Sequence, residues 1–245
     1  MTNLPYPYFD RSGGGAFHNN PLIKSYYLER VKMHRKSDQM RRGQYWQKTS
    51  NGKYEGCGVA CTIHSSDHHA YEYELGLPEW LALVEDRLFE RMTLEFCYDW
   101  PINLLAAITP GASLDIVKVK FLSCLLSLAA PSQAGGDAIE VRSMLDAHIN
   151  FYCPGVSQPN PPPPPTYGDW TKLSYLDSLS GSKKDLSDLR FESPSTNIAR
   201  TMMSSDKVWY AMDSVVDTLP DTDSILSSVY DLMAEELLLL LKMAV

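Results

Sequence analysis

The sequence has no apolar run long enough to cross a bilayer: its longest runs, such as Leu237 to Leu241, are bounded by charges like Glu235, Glu236 and Lys242. A spanning helix needs about twenty apolar residues, so a membrane span, and with it a membrane partner, is excluded. The opening segment MTNLPYPYFDRSGGG has neither a basic n-region nor an apolar h-region. No secretory signal is read there, and a cytoplasmic setting is expected. Cysteine is scarce and odd in number, with five residues (Cys57, Cys61, Cys97, Cys124 and Cys153), which argues for free thiols or ligands rather than a disulfide framework.

Several motifs are missing as well. Gly56-x-Gly58-x-x-Cys61 lacks the third glycine of a dinucleotide fingerprint, and Gly13 to Gly15 lacks the Lys-Ser/Thr of a phosphate loop. There is no H-E-x-x-H and no paired C-x-x-C, no internal repeat and no sustained heptad. The carboxylate pairs Glu72/Glu74 and Glu85/Asp86 read as solvated helix faces, not as a glycosidase pair. Alternating apolar and polar stretches are few, which leaves little material for a sheet.

What is present is ordinary globular stuff. Of 245 residues, 44% are hydrophobic and 21% charged, a balance that buries a core. The net charge of −8 is uneven. Residues 24 to 53 carry nine Lys/Arg against only Glu29 and Asp38, so a basic first helix sits on an acidic body. No recognition-module signature accompanies it, so a nucleic-acid partner is not expected; homo-oligomerisation stays open.

The periodicity predicts an all-α fold: an irregular multi-helix domain over residues 1–153, a proline-rich spacer over 154–168 containing Pro159 to Pro165, and a smaller helical part over 169–245. Helices are expected at 22–42, where Ile23, Tyr27, Val31, His34 and Asp38 form one stripe, and at 78–96, where Leu81, Val84, Leu88 and Met92 do. Further helices are expected at 101–108, 114–130, 137–150, 171–179, 195–216 and 223–243, with a short one capped by Ser65, Ser66 or Asp67 and ended by Gly76.

Chemistry concentrates in GCGVACTIHSSDHHAYEYE, residues 56 to 74, which holds two cysteines, three histidines and three carboxylates. On one continuous helix, Cys57, Cys61, His64 and His68 would share a face roughly 16 Å long, so adjacent pairs, not all four, could ligate one zinc or iron ion, with His34 or Asp38 supplying more. A second reading makes Cys57 a nucleophile, with Gly56 and Gly58 allowing a sharp turn, a helix dipole lowering its pKa, and His34 oriented by Asp38 as its base. A third treats the protein as a non-catalytic interaction module built on the basic helix. The bland alternative packs Cys57 and Cys61 as small hydrophobes, bonds His34 to Asp38, and leaves His68 and His69 facing solvent.

The stretch from Ala16 to Met92 resembles a segment of uncharacterised bacterial and phage-borne proteins that share a Gly-Cys-x-Val-x-Cys-Thr-x-His core followed by Tyr-Glu-x-Glu-Leu-Gly-(Ile/Leu)-Pro. Here these are Gly56 to His64 and Tyr71 to Pro78. The resemblance covers about a third of the chain and implies no fold or activity, only a bacterial or phage setting.

Overall fold

The computed structural model describes residues 8–153, 161–176, 193–204, 207–219 and 223–244. The architecture is all-α. Asn20 opens α1 (Pro21–Lys36) by accepting a hydrogen bond from Leu22 N, with Pro21 in the first turn where its missing N–H costs nothing. The expected extension of α1 to residue 42 fails at Asp38, whose backbone is left-handed at φ 53°. Aspartate tolerates that region better than most residues, and Arg41 secures it by donating to both Asp38 oxygens.

A small hairpin pairs β1 (Gln47–Lys48) antiparallel with β2 (Tyr54–Glu55). It leads into α2 (Gly58–Ile63), which is followed by a π-helical turn, Tyr71–Leu75, that ends on left-handed Gly76. Then come α3 (Glu79–Arg91), α4 (Leu94–Cys97) and α5 (Trp100–Ala107). The stretch expected as one helix over 78–96 breaks at Met92 and Thr93, where Arg42 reaches the Phe89 and Met92 carbonyls and Asp231 accepts from Thr93 N. Two long helices, α6 (Asp115–Leu128) and α7 (Ala138–Tyr152), complete the part before the proline run.

Beyond it, α8 (Tyr167–Leu176), α9 (Pro194–Met203), α10 (Val208–Val216) and α11 (Asp223–Met243) follow. Residues 161–166 of the expected spacer are non-helical, while 154–160 and the expected helix end at 177–179 lie outside the described residues. The C-terminal helices pack on those before the proline run and share their core. Helix α10 packs on α3 and α6, and α11 packs on α3, α5 and α6. Buried residues from both parts, such as Leu88, Phe121, Met212 and Leu237, belong to one continuous cluster. The physical reason is that the stripes on α10 and α11 cannot be buried by a helical hairpin alone. No helix among the described residues is long and apolar enough to cross a membrane.

Helix α3 lies at the centre. It is packed by α2 and α5 and by α10 and α11, and no residue from Glu79 to Glu90 is exposed. Its charged residues therefore bond internally. Arg87 donates from Nε to Asp213 at 2.7 Å and from Nη2 to the other Asp213 oxygen, and Tyr230 donates to Asp213 at 2.7 Å. Three helices are tied at one carboxylate that is 7% exposed. Arg87→Ala leaves that carboxylate buried without its cation and should cost about 3–5 kcal/mol, read as a shift in the urea midpoint. A loss under about 1 kcal/mol would show that α10 and α11 dock by apolar packing alone.

Candidate functional site

The site is built around α2, a six-residue helix buried along its whole length. Gly58 allows its position. A Cβ there would lie 2.6 Å from Pro101 Cγ and 3.2 Å from Glu85 Oε1, so any side chain would push α2 off α5 and α3. Close approach, rather than a sharp turn, explains this glycine. Arg30, 5% exposed, holds the other end by donating to the Thr62 carbonyl at 3.0 Å. The helix stops at His64, which is left-handed at φ 56°, and Asp67 then caps the next turn by accepting from His69 N. The continuous stripe expected from Cys57 to His68 is thus cut in two.

At the N-terminal end, Cys57 is 6% exposed and its thiol donates to Asp86. Burial, followed by the neighbouring carboxylates of Asp86 and Glu85, pushes the thiol well above its ordinary range. Desolvation raises Asp86 as well, but contacts with His68 and the Cys57 thiol outweigh it and hold the carboxyl below its usual range. His68 Nε2 lies 3.7 Å from Asp86 Oδ2 and is buried with no hydrogen-bond partner at normal length.

Behind this group sits Glu85, fully buried. Tyr71 donates to its Oε2 at 2.5 Å, while Oε1 is unsatisfied. Burial raises Glu85 from 4.5 to about 8, Tyr71 opposing this and Asp86 adding to it, so the carboxyl is neutral at pH 7. Cys57 and Asp86 open onto a cavity of about 410 Å³ whose other walls include Gln44, Tyr45, Arg87 and Arg91.

At the C-terminal end of α2, His34 and His64 meet at the surface. Their Nε2 atoms are 2.8 Å apart. Trp46 stacks on the His64 ring at 4.6 Å and 7° and also on Tyr54 at 5.2 Å and 15°. Burial and the nearby Arg30 lower both imidazoles, although the bond to Gln39 partly opposes this at His34, so both rings are neutral at pH 7.

The sequence-predicted residues therefore part company. Cys57 and His68 converge on Asp86; His64 and His34 converge on each other. Cys61 joins neither group: it is fully buried, its thiol faces the Gly56 carbonyl at 3.4 Å, and burial pushes it up to about 12. Asp38 does not orient His34, because His34 Nδ1 bonds Gln39 at 3.1 Å while Asp38 is held by Arg41. The lowered thiol expected for a nucleophilic Cys57 is reversed by burial and then by its acidic neighbours.

The basic first helix, too, spends much of its charge internally. Lys24 caps the Ala106 and Ile108 carbonyls, Arg35 pairs with Asp99, and Lys32 with Glu29. Sequence reasoning missed Glu85 and Asp86 by reading them as a solvated face. The signal was there: Glu85 falls four residues after Leu81 and three before Leu88, inside the apolar stripe. Trp46 carried no such signal.

No family model, curated protein or solved structure matches the chain. No function comes to it from a relative.

Unfolded, Glu85 ionises near its ordinary value; folded, it keeps its proton up to about pH 8. Folding thus takes up a proton between these values, and stability falls as pH rises through that window. In chelator-treated protein, Glu85→Gln should flatten this slope and raise stability at pH 9 relative to wild type. A change in unfolding free energy from pH 5 to pH 9 that is the same in wild type and Glu85→Gln would show instead that Glu85 is charged in the fold.

Proposed function

We propose that the protein is a metal-binding helical protein that holds a zinc or iron ion with Cys57, His68 and Asp86 and works as a metal-dependent enzyme on a substrate entering from the adjoining cavity. The observation that carries this reading is the Asp86 carboxylate held between the Cys57 thiol and the His68 imidazole. A thiolate, an imidazole and a carboxylate form a donor set suited to either ion. Two N or O donors on one tetrahedral ion stand about 3.3 Å apart. The 3.7 Å from His68 Nε2 to Asp86 Oδ2 is too long for a hydrogen bond and close to that spacing.

As the side chains stand, no three His, Cys, Asp or Glu residues among the described ones form a group able to hold a metal. The ion would draw Cys57 and His68 in around Asp86, and the unsatisfied His68 Nε2 and Glu85 Oε1 are the buried polar atoms it would answer. Its positive charge would offset the burial and acidic crowding that keep the thiol protonated. Bound at the cavity edge, it would supply a Lewis acid and an acidified water. A thiol held protonated by its surroundings is a poor nucleophile, which favours this reading over a cysteine-nucleophile enzyme.

Protein purified under reducing conditions without an affinity metal should contain near-stoichiometric zinc or iron by elemental analysis, and Cys57→Ser and His68→Ala should lose it. Cobalt-loaded wild type should show a thiolate-to-cobalt absorption that Cys57→Ser lacks. Wild-type protein that is metal-free and gives no such band on cobalt addition would overturn the assignment.

A further inference from the structure

The start of α6 and the ends of α7 and α11 border a cavity of about 470 Å³ that takes no part in the site at Cys57. Helix α6 brings Ile116 and Lys120 to it, α7 brings His148 and Tyr152, and α11 brings Leu240 and Met243. Each pair is three or four residues apart, the spacing that puts two side chains on one helix face. The walls are mostly apolar, and at their edge Tyr152 and Met243 stand 58% and 72% exposed, apolar surface that a ligand would take out of water. Gaps of this size between helices are where bundles hold small molecules.

Two polar groups in the cavity lack partners. Among the described residues Lys120 and His148 make no hydrogen bond or ion pair. His148 Nδ1 is sealed off without a partner, and burial lowers the imidazole, so the ring is neutral at pH 7. Its one N–H then belongs on Nε2, the nitrogen that is not sealed off. Arg142, near the start of α7, donates to the Ser123 carbonyl toward the end of α6 at 3.1 Å. The two helices therefore run antiparallel, and Lys120 lies one turn inward of Ile116 as His148 does of Tyr152. Asp115, the one carboxylate among the described lining residues, stands about 7.5 Å back along α6 from Lys120. It accepts from Ser113 Oγ at 3.4 Å and favours the charged form of Lys118.

We propose that this cavity binds an apolar monocarboxylate of the medium-chain fatty acid class, its carboxylate between Lys120 and His148 and its chain along Ile116, Leu240 and Met243, independently of Cys57, His68 and Asp86. The carrying observation is that an ammonium and an imidazole N–H, both without acceptors, share one cavity with apolar walls. A carboxylate accepts from both donors, and the bond to the ammonium is the stronger for being charge-assisted. The chain covers the exposed apolar edge. A ligand with a second charged group would leave that group against apolar side chains, and an alkylammonium would be repelled by Lys120. Asp115, at the outer end of the cavity, repels a carboxylate there and so sets which way round the ligand lies.

The test is calorimetric titration of the full chain with sodium octanoate below its micelle concentration, with 1-octanol as the neutral probe of the same chain length. One equivalent of octanoate should bind. Lys120→Met, which keeps an apolar stem, should weaken octanoate about ten-fold and leave 1-octanol unchanged, whereas Met243→Glu should weaken both. Unchanged circular dichroism and melting temperature establish that each variant is folded. No saturable octanoate binding by wild type, undiminished affinity in Lys120→Met, or 1-octanol bound as tightly as octanoate would overturn the proposal.

Discussion

The structure turns on the enclosure of α3. A helix with the sequence EWLALVEDRLFER carries six charged residues in thirteen and would ordinarily show a polar face to water. Here it is packed on both sides, by α2 and α5 and by α10 and α11. Each charge must then find a partner inside, be neutralised, or destabilise the fold. Glu85 is neutralised beside Tyr71, Asp86 takes the Cys57 thiol and His68, Arg87 takes Asp213, and Glu90 accepts from Gly43 N at 2.8 Å. One helix thus fixes the loop before α2, the turn after it and the docking of the last two helices.

That enclosure also creates the site. Two adjacent carboxyls, a thiol and an imidazole are brought together there, beside an Arg87 that is bonded to Asp213. Burial first, and the neighbouring carboxyls after it, keep Glu85 neutral and the Cys57 thiol protonated. Such a cluster is costly unless a cation answers it, and this links the energetics of the core to the proposed metal chemistry. The cavity at its edge lies where α3 emerges toward the exposed Arg91.

The histidines at the other end of α2 obey a different constraint. Trp46, from the segment just before β1, fills the space over the His64 ring and stacks on Tyr54 of β2. It thereby anchors the small hairpin, which two-residue strands could not stabilise alone. The left-handed turn at His64 is what directs the ring toward α1. Arg30 completes the join by donating to the Thr62 carbonyl of α2 while lying over Tyr26 at 4.6 Å and Tyr27 at 5.0 Å.

The sequence by itself determined the helices and much of their limits. The stripe of Leu81, Val84 and Leu88 marks α3, Pro21 and Asn20 start α1, and Gly76 ends the turn after Asp67, because capping and periodicity are local physics carried by neighbours in the chain. It also singled out the segment from Gly56 to Glu74, within which Cys57, His64 and His68 lie. Only the tertiary structure decided which of these meet. His68 faces Asp86, eighteen positions further along the chain and outside the expected stripe, and His34 turns from Asp38 to Gln39 and His64. Whether Glu85 was a solvated acid or a buried one depended on α2 and α5 closing over it, and where the C-terminal helices dock depended on the apolar faces they meet on α3, α5 and α6. Such contacts are set by packing between segments distant in sequence, and periodicity along one segment holds no information about what covers it.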